Sequence, residues 1–374
     1  MGEGKDLRDS SPTVYQALRQ RGVSRRDFMK FCSLMAATLA LPASFAPKIA
    51  EALEKAKRPS LVWLEFQDCC GNTESFLRAS NPTVVDIVLD VLSVDYHETI
   101  MAPAGKDAEK SLQDVVKNQK GKYICVVEGA IPTRDGGVYC CVGGRAAIDI
   151  AKEVCGNSLA TIAMGACAWD GGIPSANPNP TGAVGVKDVI SGVPIINLPG
   201  CPANVVNLTG TVVHYLTFGS LPLTDNNGAP LFGYGTRIHD ACQRRAHYDA
   251  GRYVRQWGDE GHRNGWCLYY MGCKGPETYK NCPTALWNDR TSWPVGAGHN
   301  CIGCASPKFW DTMTPFYSRL ASIPGFGVES TADKVGLGLA IATAAGVTAH
   351  AIARAGRKHI RHEDEEKTAK TEDK

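Results

Sequence analysis

From Ser60 onward the chain alternates short, almost wholly apolar runs with longer segments whose apolar positions recur every three or four residues. The apolar runs predict strands buried on both faces, and the periodic segments predict helices laid over them. Strands are expected over 60–66, 93–97, 123–128, 159–165 and 193–198, with helices over 82–92, 108–119 and 145–154. Such alternation predicts an α/β fold, a flavodoxin-like, doubly wound parallel sheet occupying residues 53–220. From about Leu221 to residue 330 the periodicity fades, and Gly, Pro, Trp and Asn punctuate a loop-rich domain that cannot easily build an apolar core of its own.

Both ends carry a different pattern. Ser24-Arg25-Arg26-Asp27-Phe28-Met29-Lys30 precedes an apolar stretch from Phe31 to Ala46, and Ala50-Glu51-Ala52 offers small residues for a cut. This is the layout of an export signal, residues 1–52, and the arginine pair marks the twin-arginine type, which carries folded cargo and engages the twin-arginine translocase. The mature chain is then expected to start at Leu53, and Cys32 is lost with the signal. Near the other end, Val335 to Ala353 holds no charged residue, enough for roughly 28 Å of helix. Its Gly336, Gly338, Ala340, Ala342, Ala344, Ala345 and Gly346 suit close packing against another membrane helix. Arg354, Arg357, Lys358 and Arg361 follow at once. By the positive-inside rule, a transmembrane anchor over 331–356 would leave the tail, 357–374, in the cytoplasm and the body on the periplasmic side of the inner membrane. The charged end of that tail, from His362, is expected to be disordered. His350 within the span is open to two readings, contact with a haem-bearing partner or helix packing.

Composition narrows the class little. The 374 residues are 44% hydrophobic with a net charge of +2, which favours neither disorder nor nucleic-acid binding. Fifteen cysteines change the picture. In an exported protein the default for such a count is disulfides. The spacings His239-x2-Cys242, Cys267-x5-Cys273 and Cys301-x2-Cys304 instead suit metal or cluster ligation.

Position along the fold sharpens this. The first predicted strand runs into Asp68-Cys69-Cys70-Gly71-Asn72-Thr73-Glu74-Ser75, and the third into Glu128-Gly129 and the Cys140-Cys141 loop. The fourth runs into Cys167 and the fifth into Pro199-Gly200-Cys201-Pro202. In a parallel sheet these loops leave at one carboxyl edge, the edge at which such sheets bind ligands. Cys125, inside a strand, is expected to be a core residue. In the loop-rich half, His239, Cys242, Cys267 and Cys273 make a four-ligand set sufficient for a 4Fe–4S cluster. Cys282, Cys301 and Cys304 supply three thiolates, and Trp293-Pro294-Val295 stands where a fourth ligand would fall. Proline has no ligand atom, which favours a 3Fe–4S cluster. Zinc would satisfy either set, but three sites on one chain suit an electron wire.

Against this background the motifs VVEGAIP, GACAWDGG, NLPGCP, RIHDAC, GWCLYYMGCKGPETY, NCPTALWND and WPVGAGHNCIGC resemble the small subunit of group 1 nickel–iron hydrogenases, the membrane-bound hydrogenase-1 type, over almost the whole chain. The resemblance implies an oxidoreductase subunit, active only with a large subunit that holds the nickel–iron centre. It implies two 4Fe–4S clusters and one 3Fe–4S cluster: proximal on Cys69, Cys167 and Cys201, medial on Cys282, Cys301 and Cys304, distal on His239, Cys242, Cys267 and Cys273. Electrons from hydrogen would pass along them to a membrane cytochrome b and quinone, and no residue of this chain would be catalytic. A membrane-tethered, polyferredoxin-like relay for another dehydrogenase is the alternative.

Two departures from that pattern stand out. The usual Cys-x-x-Cys of the first loop has Asn72 in its second place, and asparagine is a poor iron ligand. Cys141 is the expected replacement, ahead of Cys70 and Asp68, because adjacent side chains of an extended segment point apart. The slots that carry extra cysteines in oxygen-tolerant relatives hold Gly71 and Gly172, so a six-cysteine cluster is not implied. Glu74 and Glu128 are candidates for proton chemistry or for capping.

Overall fold

A computed structural model describes residues 12–20, 22–79, 91–288, 290–320 and 332–372. They fall into two units, residues 12–243 with 268–320, and residues 244–267 with 332–372.

The first unit is organised by a five-stranded parallel sheet of β1 (Ser60–Glu65), β2 (Ser93–His97), β3 (Ile124–Glu128), β4 (Ala160–Met164) and β5 (Ile195–Leu198), in the order β2-β1-β3-β4-β5. That order is the flavodoxin-like one. Its register puts Glu65 beside Glu128, Glu128 beside Met164 and Met164 beside Leu198. Four strands therefore end level, and their following loops leave from one edge.

Alternate residues face opposite layers. Leu61, Trp63, Ile124, Val126, Ile162 and Met164 point to one apolar cluster, and Val62, Leu64, Cys125, Val127 and Ala163 to the other. The second face is covered by α5 (Lys106–Asn118) and α6 (Ala147–Gly156), through Leu112, Val115, Ile150 and Val154. Cys125 is fully buried there, its sulfur 3.6 Å from that of Cys155. The helix expected over 82–92 falls almost wholly on residues outside the described ones.

The first face is covered by α4 (Gly71–Leu77), α8 (Val205–Phe218) and three N-terminal helices, α1 (Val14–Gln20), α2 (Arg25–Thr38) and α3 (Ala46–Lys55). Ser24 caps α2, accepting from the Asp27 amide at 3.2 Å. The apolar stretch of the expected export signal then becomes an amphipathic helix, with Phe28, Cys32, Met35 and Ala36 buried and both Arg25 and Arg26 exposed. In α3, Ile49 and Leu53 are completely buried. They share one cluster with Leu208 and Val212 of α8. Each large side chain so covered contributes about 1.5–3 kcal/mol relative to exposure.

In the second unit, Tyr253 and Cys267 form a parallel bridge, and the Val254 amide donates to the Cys267 carbonyl at 2.9 Å. The long helix α9 runs from Ala332 to Glu372. Within it Gly336–Arg357 spans 22 residues with a mean hydropathy of 1.5 and no burial, which is long and apolar enough to cross a membrane. The tail expected to be disordered is instead helical through Glu372. Its Glu, Lys and Ala content favours helix, and opposite charges recur at helical spacing.

Candidate cluster-binding centres

None of the fifteen cysteines is joined in a disulfide. The disulfide alternative finds no support in the fold.

The first centre is assembled at the level strand ends. Glu128 ends β3, wholly buried, and its carboxylate holds the start of α4. Its Oε1 accepts from the Asn72 amide at 2.7 Å, and its Oε2 from the Thr73 amide at 2.9 Å and the Trp63 indole at 3.2 Å. The Thr73 hydroxyl lies 2.7 Å from Glu128 Oε2 and also 2.7 Å from Glu65 Oε1. A hydroxyl has one hydrogen, so it donates to one of the two carboxyls at a time. Burial pushes Glu128 upward, against the bonds from Thr73 and Asn72. Glu128 is thus the anchor of the Cys69 loop. Glu74 is a surface residue paired with Arg78 at 2.8 Å.

Three thiols meet beyond this anchor. Burial pushes Cys167 up to about 12, helped by Cys201, Cys69 and Asp68 nearby. Cys201 is pushed up to about 11 by burial and then by Cys304 and Cys69, with Lys280 pulling the other way. Cys167 and Cys201 thus stay protonated unless a metal takes the proton's place. The triad Cys69, Cys167 and Cys201 therefore fits an iron–sulfur cluster in its donor chemistry.

Asn72 is not among the donors facing that space. Its side chain is buried, its oxygen accepts from the Ala203 amide at 2.8 Å, and a Cβ on Gly165 would lie 2.4 Å from its nitrogen. Gly165, at φ +88°, is where α7 (Gly165–Asp170) leaves β4. Gly172, at φ +47°, leaves no room for a side chain either: a Cβ there would stand 2.7 Å from the Cys167 sulfur. The extra-cysteine slot is sterically closed as the chain stands.

Cys141, the expected fourth ligand, is turned outward. It is exposed on a two-residue hairpin, paired with Ala146, and its thiol points to the Val138 carbonyl at 3.7 Å. Tight pairing in the hairpin turns Cys140, not Cys141, toward the core layer. Asp68 is better placed. Its Oδ2 is buried without a hydrogen-bond partner, and it acts on Cys167, Cys70 and Cys140 alike. Ligand atoms of Asp68, Cys70 and Glu65 all lie within 4.8 Å of one another. Cys70 itself adopts a left-handed φ of +55°.

The second centre surrounds a cavity of about 430 Å³ lined by Cys282, Cys301, Cys304 and Cys201, with Pro294 and Lys280 among the walls. Trp293, Pro294 and Val295, the stretch lacking a fourth ligand in the sequence, line it together. The Gly303 amide donates to the Cys301 sulfur at 3.4 Å. Three thiols around a mostly apolar hollow fit a cluster with three protein ligands. Lys280 is fully buried at this wall. Burial lowers its pKa, and deprotonation of the neighbouring Cys304, Cys282, Tyr234 and Cys301 would raise it, with a net rise.

Of the third set, the first unit holds His239, Cys242 and Cys273. The Cys242 amide donates to the His239 carbonyl at 3.4 Å, and the His239 amide to the Gly275 carbonyl at 3.1 Å. Burial raises Cys273, with Cys242 adding to it. Cys267 is buried in the second unit, tied by its amide to the Arg252 carbonyl at 3.1 Å. Neither Lys280 nor the Asn72–Ala203 tie was singled out by sequence reasoning. A lysine two residues before Cys282 was the available signal.

Residues 234–317 match the family that describes the C-terminal part of the NiFe/NiFeSe hydrogenase small subunit, and residues 69–215 match NADH ubiquinone oxidoreductase, 20 Kd subunit. The chain is 46% identical over 339 residues to the uptake hydrogenase small subunit of Azotobacter vinelandii, covering 91% of this chain and 94% of that one. It is 45% identical to the quinone-reactive Ni/Fe-hydrogenase small chain of Wolinella succinogenes, covering 90% and 97%. Among solved structures, the reduced, active Ni-Fe-Se hydrogenase of Desulfomicrobium baculatum aligns with a TM-score of 0.67 at 33% identity, covering 71% of this chain and 100% of that one.

Proposed function

We propose, from the premise that the chain belongs to the family of nickel–iron uptake hydrogenase small subunits and serves as an oxidoreductase subunit with a large subunit, that it relays electrons from hydrogen to the membrane. The family binds iron–sulfur clusters. In this reading the proximal 4Fe–4S cluster takes Cys69, Cys167 and Cys201, and Asp68 rather than Cys141 supplies the fourth corner. The medial 3Fe–4S cluster takes Cys282, Cys301 and Cys304. The distal 4Fe–4S cluster takes His239, Cys242, Cys267 and Cys273.

One observation carries the relay. Cys201 stands beside Cys69 and Cys167 on one side and beside Cys304 on the other, and it lines the medial cavity. The first two centres thus share a wall, which keeps the gap between them short. Bound clusters supply one-electron redox chemistry. The chain's own work is structural: Glu128 fixes the Cys69 loop, Asn72 fixes the Cys201 loop to it, and Pro294 closes the medial hollow without a ligand. Apolar walls keep water from the thiolates.

The finer placement follows the two ends. Residues 1–52 act as a twin-arginine signal, and Gly336–Arg357 anchors the body on the periplasmic side, with the tail in the cytoplasm. A membrane cytochrome b and quinone then receive the electrons; the quinone-reactive relative supports that acceptor.

The test is iron and nickel analysis of the purified complex. About twelve iron atoms per heterodimer are expected, about eleven from the two cubanes and one three-iron cluster of this chain and one beside the nickel of the co-purifying large subunit. A value near eight would remove one cubane from the scheme. A complex without nickel would favour a relay serving another dehydrogenase.

A further inference from the structure

Lys280 sits where two centres share their wall. Its side chain is 1% exposed. The ammonium donates to the Pro202 carbonyl at 3.1 Å and lies 5.4 Å over the Trp287 ring. Gly200 makes the room: a Cβ there would stand 2.1 Å from the Lys280 nitrogen. Lys280 lines the medial cavity together with Cys282, Cys301 and Cys304, and no carboxylate is in that lining. Among the described residues, no ion pair joins it to a carboxylate.

A buried ammonium without a carboxylate is costly unless another negative charge compensates it. The three medial thiolates and the inorganic core they would hold are the anionic partners that this cavity supplies. We propose that Lys280 is the fixed counter-charge of the medial centre and holds its reduction potential up. The inference rests on the reading of Cys282, Cys301 and Cys304 as the medial cluster ligands. The physical sense is simple. Reduction adds one negative charge to the cluster, and a positive charge fixed nearby in a low-dielectric wall stabilises the reduced form more than the oxidised one. Lys280 thus acts through electrostatics and is a positioning residue, not a catalytic one. Its contact with Pro202 also holds the charge beside the Cys201 loop, so the field acts at the step from the proximal to the medial centre.

The experiment is a redox titration of the purified complex with its large subunit, followed by the electron paramagnetic resonance signal of the oxidised three-iron cluster. Lys280→Met and Lys280→Gln are compared with Lys280→Arg and the native chain. The neutral variants are expected to show at least a tenfold lower ratio of reduced to oxidised medial cluster at a fixed potential, which is a downward shift of about 59 mV or more for a one-electron couple. Lys280→Arg should stay close to native. Loss of the signal in the neutral variants, with retention in Lys280→Arg, also supports the counter-charge. A neutral variant that titrates with the native chain overturns it, as does loss of the signal in all three variants, which would assign the residue to packing. Absence of a three-iron signal in the native complex would overturn the medial reading itself, and this proposal with it.

Discussion

The side-chain oxygen of Asn72 accepts a hydrogen bond from the backbone amide of Ala203 at 2.8 Å, tying the loop after β1 to the loop after β5. The position that would carry a second thiolate in the related Cys-x-x-Cys pattern carries a brace between two ligand-bearing loops instead. Both groups are buried, so removing one leaves the other without water to replace it. Asn72→Ala is expected to lower stability by about 1–3 kcal/mol, read as a shifted denaturant midpoint at unchanged slope. An unshifted midpoint would mean that the brace is idle.

The fourth proximal corner can be decided by substitution. Cys141→Ser should leave the iron content and the proximal spectrum as they are, because the thiol is exposed and turned to Val138. Asp68→Ala should lower iron by about one atom or convert the cubane to a three-iron form, a change visible by paramagnetic resonance. The opposite pattern returns the assignment to Cys141.

Acid stability should depend on His97. The ring is wholly buried, stacked on Trp63 at 4.9 Å between centroids, with Glu65 3.8 Å from Nδ1. Burial pulls its pKa down to about 4, against the pull of Glu65. The unfolded imidazole titrates near 6.5, so between roughly pH 6.5 and 4 the unfolded chain holds a proton that the folded chain does not. The stability of the neutral ring is complete above that window and is lost as pH falls through it. Glu98, pushed up to about 7 by burial, has the opposite slope, which is why the comparison must be with a variant. His97→Phe should lose less stability than the native chain between pH 6.5 and 4.5, by up to about 3 kcal/mol. Parallel pH profiles would exclude the ring as the source.

Ending the chain before Gly336 should move the complex from the membrane fraction to the soluble one while keeping its iron, since Gly336–Arg357 is unburied. Retention in the membrane fraction would assign attachment to another part of the complex.

The sheet was legible because five runs of apolar residues are bounded by turn residues, and their alternation with helices admits few topologies. The convergence of Cys69, Cys167 and Cys201 followed from it, since parallel strands send their following loops to one edge. What periodicity could not supply was orientation within a loop. Cys140 and Cys141 are indistinguishable in the sequence, yet the hairpin faces them differently. Asn72 read as a missing ligand because hydrogen bonds to a backbone amide leave no mark in spacing. Residues 362–372 read as disordered because their charge outweighed their helix propensity in that judgement. The N-terminal helices were hidden for a related reason: an apolar run that awaits a translocase and one that packs on α8 have the same composition.

The bond proposed for leader removal, between Ala52 and Leu53, lies inside α3, and Leu53 is wholly buried. Peptidases work on extended chain, so a helix seated in an apolar bed is a protected substrate. Processing would then wait on a local opening event, with its rate set by how readily the three helices peel away. Once they leave, the part of α8 that α2 and α3 cover is bared to water, a sticky scar that the finished subunit must hide against something else.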